Sequence, residues 1–149
     1  MAEIGLAASI IAVIQITVSV TTQAYNYGLK VKNAKEDLER INRELGHVGQ
    51  VLEKLKTLAE RAEKSHKSLD SWPALAALYG DKGPLTICSQ ALMDLKSELT
   101  PASGIQAKFS PRAKWAWKKE RVEKALEIIT QQKMAFLELL SVDQMSVQL

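Results

Sequence analysis

The chain has 149 residues, one cysteine and a net charge of +3, and 46% of its residues are hydrophobic but only 5% aromatic. This length suits one domain with a hydrophobic core, and a single cysteine excludes an intrachain disulfide. Since there is also no Asn-x-Ser/Thr acceptor, nothing indicates secretion, and we expect a reducing cytoplasm at rest.

The N-terminal segment predicts a first helix over about residues 2–28, without a charged side chain between Glu3 and Lys30. A signal peptide needs a basic start, and the Met-Ala-Glu start has the wrong charge. We expect Gly28 to end the helix. The predicted polar stripe is Gly5, Ala8, Ser9, Ala12, Gln15, Ser19, Thr22, Gln23 and Asn26. The predicted opposite, apolar face is Leu6, Ile10, Val13, Ile14, Val18, Val20 and Ala24.

Two interpretations of this helix stay open. It can be the central helix of a soluble bundle, enclosed by the other helices, and we expect this arrangement in the resting soluble domain. It can also cross a membrane, because about 20 helical residues span about 30 Å. As a single span it would expose polar groups to lipid, whereas in an oligomer the stripe Gln15, Ser19 and Thr22 could line a water-filled pore.

A second helix is predicted over about 32–66, because apolar residues recur there at three- and four-residue steps. Its core stripe is Leu38, Ile41, Leu45, Val48, Leu52, Leu55 and Ala59. Its outer face carries acid-first i,i+4 pairs such as Glu36–Arg40 and Glu63–Lys67. We therefore expect a long helix with one solvated face.

Prolines and glycines interrupt the pattern after this helix and leave room for one short helix in the 72–80 connection. A third helix is predicted over about 84–99, with Leu85, Cys88, Leu92, Leu95 and Leu99 on its core side. The fourth starts at the Ser110–Pro111 pair and covers 111–142, and 143–149 is expected to begin a linker. Its core stripe is Val122, Leu126, Ile129, Phe136, Leu137 and Leu140. The sequence thus predicts an all-α fold, a four-helix bundle over residues 1–142.

Catalytic chemistry finds no support in this chain. It has only two histidines, both in the charged second helix, and no nucleophile, phosphate-loop or metal motif. Cys88 lies on an apolar stripe, which favours a buried structural thiol. The GDKG stretch is read as a turn rather than a nucleic-acid clamp. We expect no enzyme, no catalytic residue, no cofactor, no metal and no nucleic-acid partner.

A basic cluster opens the fourth helix, where residues 108–124 carry seven Lys/Arg against two Glu. Tryptophan favours the membrane interface, and basic residues are attracted to anionic lipids. The predicted membrane-surface patch is Lys114, Trp115, Trp117, Lys118, Lys119 and Arg121. The alternative is a solvated helix start whose indoles pack on neighbouring helices.

Three stretches, "MAEIGLAASIIAVIQITVSV", "VKNAKEDLERINRELGHVGQVLEKL" and "WAWKKERVEKALEIITQQKMAFLELLSVDQ", resemble the HeLo-like domains of fungal NOD-like receptors and related cell-death effectors. The resemblance implies a cytoplasmic helical bundle that a partner domain oligomerises and that then inserts its first helix into the plasma membrane and permeabilises it. The implied insertion residues are Glu3, Ile4, Leu6, Ile10, Ile11, Val13, Ile14 and Val18, and by the same resemblance the Glu3 side chains of an oligomer would form a ring of carboxylates at a pore mouth.

The resemblance further implies anionic membrane lipids as partners, a homo-oligomer when activated, and an upstream receptor or amyloid-type signalling domain. We expect the chain to be a domain excised from such a protein. The competing hypothesis is a helical self-association or signalling adaptor module whose first helix never leaves the core.

Overall fold

All regular secondary structure among the described residues is helical, in agreement with the helical spacing of the apolar residues. The computed structural model describes residues 5–65, 73–78, 82–100 and 111–148. The helices are α1 (Leu6–Lys30), α2 (Lys35–Lys64), α3 (Pro73–Ala76), α4 (Pro84–Glu98) and α5 (Pro111–Gln148), and a 3-10 turn, Lys32–Ala34, precedes α2. The all-α prediction is confirmed for these ranges.

Each of the long helices packs mainly on two others. α1 packs on α2 and α4, and α5 packs on the same two helices, while α3 contacts α5. α1 runs antiparallel to α2, since Gly5 lies beside Glu63 and Gly28 beside Leu38. α2 and α4 therefore each contact both α1 and α5.

One hydrophobic core lies between these helices. The predicted stripes of α2 and α4 are buried throughout, which confirms both. In α5 the predicted stripe is buried except for Leu137, which is exposed, so that assignment is wrong. Phe136, one position earlier, is fully buried, and a helical step of 100° turns the next residue out of the core.

Several helix boundaries differ from the sequence predictions. α1 continues through Gly28 to Lys30, and it ends where Val31 becomes extended, with φ −123°. Gly28 lies inside the helix beside α2, where a Cβ would be in ordinary van der Waals contact, 3.5 Å from Cδ1 of Leu38. α5 continues to Gln148, six residues beyond the predicted end at 142, because neither Gly nor Pro follows Pro111.

Ion pairs between helices all involve α5 among the residues that the structure describes. Lys119 and Lys133 of α5 pair with Asp37 and Glu44 of α2, at 3.3 Å and 2.6 Å. Arg40 of α2 pairs with Glu123 of α5. α4 is joined to α5 by Arg121 and Glu98, at 2.7 Å. The second, fourth and fifth helices therefore share an ionic framework in which α1 has no part.

Candidate functional site

The first helix has two faces that differ in environment. Its inner face is buried and consists of Leu6, Ala7, Ile10, Val13, Thr17, Val20 and Ala24. Its outer face, which includes Ala8, Ile11, Gln15, Val18 and Thr22, is exposed. The prediction of a central helix enclosed on all sides is therefore wrong: only 33% of its most apolar window is buried. α1 is a surface helix with one apolar face in the core.

The predicted insertion residues are divided between these faces. Leu6, Ile10 and Val13 lie in the core, and Ile14 is partly buried against it. Ile11 and Val18 are exposed. Glu3 and Ile4 lie outside the described residues. The set therefore surrounds the helix, as expected for a segment that is apolar on most of its circumference.

The polar stripe is less uniform than predicted. Gln15 and Thr22 are exposed and Ser19 is half-buried. Val18, assigned to the opposite apolar face, lies on the same exposed face as Gln15 and Thr22, because it is three residues after one and four before the other. That assignment is wrong, and the outer face alternates polar and apolar residues.

The threonine hydroxyls of α1 are satisfied by the helix itself. Thr17 and Thr21 donate to the carbonyl oxygens of Val13 and Thr17, both at 2.9 Å, and Thr22 donates to that of Val18 at 3.1 Å. Such i−4 bonds satisfy a hydroxyl without water or a second chain. The polar cost of placing α1 in an apolar medium is therefore smaller than its composition indicates.

The N-terminal end of α1 is held by a carboxylate of α2. Gly5 precedes the helix and has no side chain to cap it. Oε1 of Glu63 accepts a hydrogen bond from the backbone N–H of Ala7 at 3.1 Å. A carboxylate at this end also interacts favourably with the helix dipole. Glu63 was read as one of a solvated i,i+4 pair, and its contact with α1, 56 residues away in sequence, was missed.

The C-terminal end of α1 contacts the start of α5 through aromatic rings. Tyr27 packs against Trp115 with ring centroids 5.7 Å apart, and Nζ of Lys118 lies 5.5 Å from the Tyr27 ring centroid. Burial lowers the pKa of the Lys118 ammonium. Burial also raises the pKa of Tyr27, and Glu98 adds to this shift. Tyr27 was not identified from the sequence.

The predicted membrane-surface patch is only partly a surface. Trp115 is 3% exposed and Lys118 is 9% exposed, so both lie inside rather than at the interface with solvent. The indole N–H of Trp115 donates to Oδ2 of Asp37 at 3.3 Å, which explains its inward orientation. Placing these two residues in an exposed patch was wrong for this conformation.

The other patch residues remain accessible to different degrees. Trp117 is exposed and Lys114 is half-buried. Lys119 and Arg121 are exposed, but they are already paired with Asp37 and Glu98. Existing pairs leave less of their charge for anionic lipid headgroups. The accessible patch is therefore smaller and less positive than the sequence indicated.

Reactive and metal-ligating side chains in the described ranges do not form a candidate site. Burial raises the pKa of the Cys88 thiol to about 12, so the thiol is protonated at neutral pH. No group of three or more His, Cys, Asp or Glu side chains in those ranges could hold a metal ion. α1, by contrast, is long and apolar enough to cross a membrane. α1 is therefore the candidate functional element.

No family model, curated protein or solved structure matches this chain.

Proposed function

We propose that the helices form a four-helix bundle whose α1 leaves the core on induced oligomerisation, inserts into membranes and permeabilises them. The cell-death role follows from the resemblance to HeLo-like domains. The observation that carries the membrane role is the isolation of α1 from the ionic framework. Separating α1 breaks none of the ion pairs that join described helices, and no charged residue between Leu6 and Leu29 opposes entry into lipid.

The free energies of release and insertion indicate that insertion of α1 must be induced. Detaching α1 uncovers Leu6, Ile10, Val13 and Val20, at about 1.5–3 kcal/mol each, or roughly 6–12 kcal/mol in all. Nine Leu, Ile and Val residues lie between positions 6 and 29, and at about 0.3–0.6 kcal/mol each they gain roughly 3–5 kcal/mol on insertion. A single copy does not offset its own release, so helix contacts within an oligomer must supply the difference.

The proposed targets are anionic membranes, reached from the cytoplasm through the exposed Trp117 and its basic neighbours, with the plasma membrane as the site of activation. The net charge of +3 and the accessible indole support this direction of docking. An upstream receptor or amyloid-type domain is the proposed source of oligomerisation. In the membrane, Gln15, Ser19 and Thr22 would face the interior of the assembly.

The test is dye leakage from anionic vesicles by the chain fused to an inducible oligomeriser. Ile11→Asp on α1 has a matched control in Ile87→Asp on α4, because the two isoleucines are 37% and 38% exposed. We expect Ile11→Asp to reduce leakage at least about tenfold, since it buries a charge in lipid. Ile87→Asp should leak like the wild type. Equal leakage from both variants, with both folded by circular dichroism, would refute insertion of α1.

The second candidate function is an adaptor module that self-associates without insertion. The deep burial of Ile10, Val20 and Ala24 favours it, because it ties α1 to the core. This alternative predicts no leakage from the oligomerised wild type, whatever the lipid. Oligomerisation that recruits a partner domain but leaves vesicles intact would support it.

A further inference from the structure

The outer face of α1 follows a heptad pattern that the core does not use. Seven exposed residues recur at alternating steps of three and four: Ala8, Ile11, Gln15, Val18, Thr22, Tyr25 and Leu29. Ile11, Val18 and Tyr25 occupy one heptad position, and the other four occupy the second. This spacing is that of a coiled-coil seam, which a second helix of the same repeat covers. The seam is about 32 Å long.

We propose that this seam binds α1 of a second copy of the chain, in antiparallel orientation, in the folded soluble domain. The inference goes beyond membrane insertion, because it concerns the domain before α1 is released and requires no lipid. A matching helix must be uncharged along the whole seam, and α1 itself has no charge between Leu6 and Leu29. Its apolar side chains are accessible, since Val18 is 60% and Tyr25 63% exposed.

The antiparallel register pairs side chains of like chemistry. In a two-fold arrangement centred near residue 20, the six seam residues from Ile11 to Leu29 pair with one another, so that Ile11 meets Leu29 and Val18 meets Thr22 of the other copy. Gln15 then faces Tyr25, so that its amide has a hydroxyl partner. Lipid offers no partner to that amide, and this argues for a helix rather than a membrane as the occupant.

Charge at the helix end selects the antiparallel direction. α1 ends at Lys30, and Lys32 follows in the turn, both exposed. A parallel pair would bring these basic ends of the two copies together, whereas the antiparallel pair separates them by the length of the helix. The two helix dipoles also then point in opposite directions, which is the favourable arrangement.

Analytical ultracentrifugation without lipid, from about 10 µM to about 1 mM protein, tests the proposal. We expect a monomer–dimer equilibrium that Ile11→Asp weakens at least about tenfold, because the seam would bury an unpaired charge. Ile87→Asp, matched in residue type and exposure, should leave the equilibrium unchanged. Circular dichroism establishes that each variant is folded. A monomer at all concentrations, or a dimer unaffected by Ile11→Asp, would overturn the proposal.

Disulfide trapping tests the orientation. A mixture of Ile11→Cys and Leu29→Cys chains should form mixed disulfide dimers. Ile11→Cys alone should not crosslink, because its two copies would lie about 27 Å apart. Crosslinking of Ile11→Cys with itself would overturn the antiparallel arrangement.

Binding of monomeric protein to phosphatidylcholine–phosphatidylserine vesicles through the seam would assign the face to lipid and overturn self-association. A wild-type chain that stays monomeric in solution but permeabilises vesicles once oligomerised would refute this inference alone. A wild-type chain that dimerises through the seam but never permeabilises vesicles would refute insertion alone.

Discussion

Replacing Glu63 by alanine tests how firmly the N-terminal end of α1 is held in the closed domain. The side chain accepts the N–H of Ala7 at 3.1 Å, across 56 residues of sequence. No side chain of α1 itself caps this end, because Gly5 is at the cap position. Loss of a capping side chain costs about 0.5–2 kcal/mol, and about 1 kcal/mol is the expected value here.

That loss has a local and a global consequence. About 1 kcal/mol raises the population of the opened first turn roughly fivefold, since each 1.4 kcal/mol is a factor of about ten. Over a chain of 149 residues it lowers the melting temperature by about 2–4 °C. Hydrogen exchange at the amide of Ala7 measures the local effect, and calorimetry measures the global one.

The control removes a different carboxylate from the same helix. Glu39 is exposed near the other end of α2, 24 residues from Glu63, or about 36 Å along the helix. Glu39→Ala should leave the exchange of the Ala7 amide unchanged. Unchanged exchange in Glu63→Ala, or equal acceleration in both variants, would refute the role assigned to Glu63. Gly5→Ala adds a further check, because its Cβ would lie 2.7 Å from Oε1 of Glu63 and its effect should shrink in the Glu63→Ala background.

Three further outcomes are expected. Leu6→Lys, at a buried position, should lower the free energy of unfolding, measured by urea denaturation, by about 3 kcal/mol or more. Ile11→Asp, at an exposed position, should change it by only about 0.5 kcal/mol. Equal effects of the two variants would contradict the burial of the inner face of α1. The double variant Gly28→Cys, Leu38→Cys should form a disulfide, because a Cβ at position 28 would lie 3.8 Å from the Cβ of Leu38. Vesicle leakage should then require a reductant. Leakage by the oxidised form would show that α1 acts without separating from α2. The hydrogen bond from Lys133 lowers the pKa of the Glu44 carboxyl, so the stability that this ion pair adds to the fold is present above the ordinary pKa of 4.5 and is lost as pH falls through the lower folded pKa. Glu44→Gln should therefore reduce the loss of melting temperature on acidification. An unchanged pH profile would count against this ion pair.

Periodicity predicted the parts of the fold that depend on one helix at a time. The stripes of α2 and α4 follow from residue spacing, and the start of α5 at Pro111 follows from helix-start chemistry. The position of Val18 was also available from its spacing to Gln15 and Thr22. The extension of α5 beyond 142 could have been predicted from the missing Gly and Pro.

Contacts between distant segments could not be predicted in the same way. The orientation of Trp115 depends on Asp37, 78 residues away, and the role of Glu63 depends on where α1 begins. The same local pattern fits an exposed indole in a basic patch and a buried indole with an acidic partner. Only the packing of α5 on α2 distinguishes them, so the candidate patch was predicted less well than the candidate helix.

The way α1 is attached has a thermal consequence. Its inner face is apolar apart from Thr17, while the other long helices are joined by ion pairs. Opening of α1 therefore exposes hydrocarbon to water and has a positive heat-capacity change. The free energy of opening consequently changes with temperature along a curve rather than a straight line. Salt screens the ionic framework but hardly affects this face. Temperature should therefore affect the opening of α1 along its whole inner face, whereas ionic strength acts mainly on the Glu63 contact at its N-terminal end.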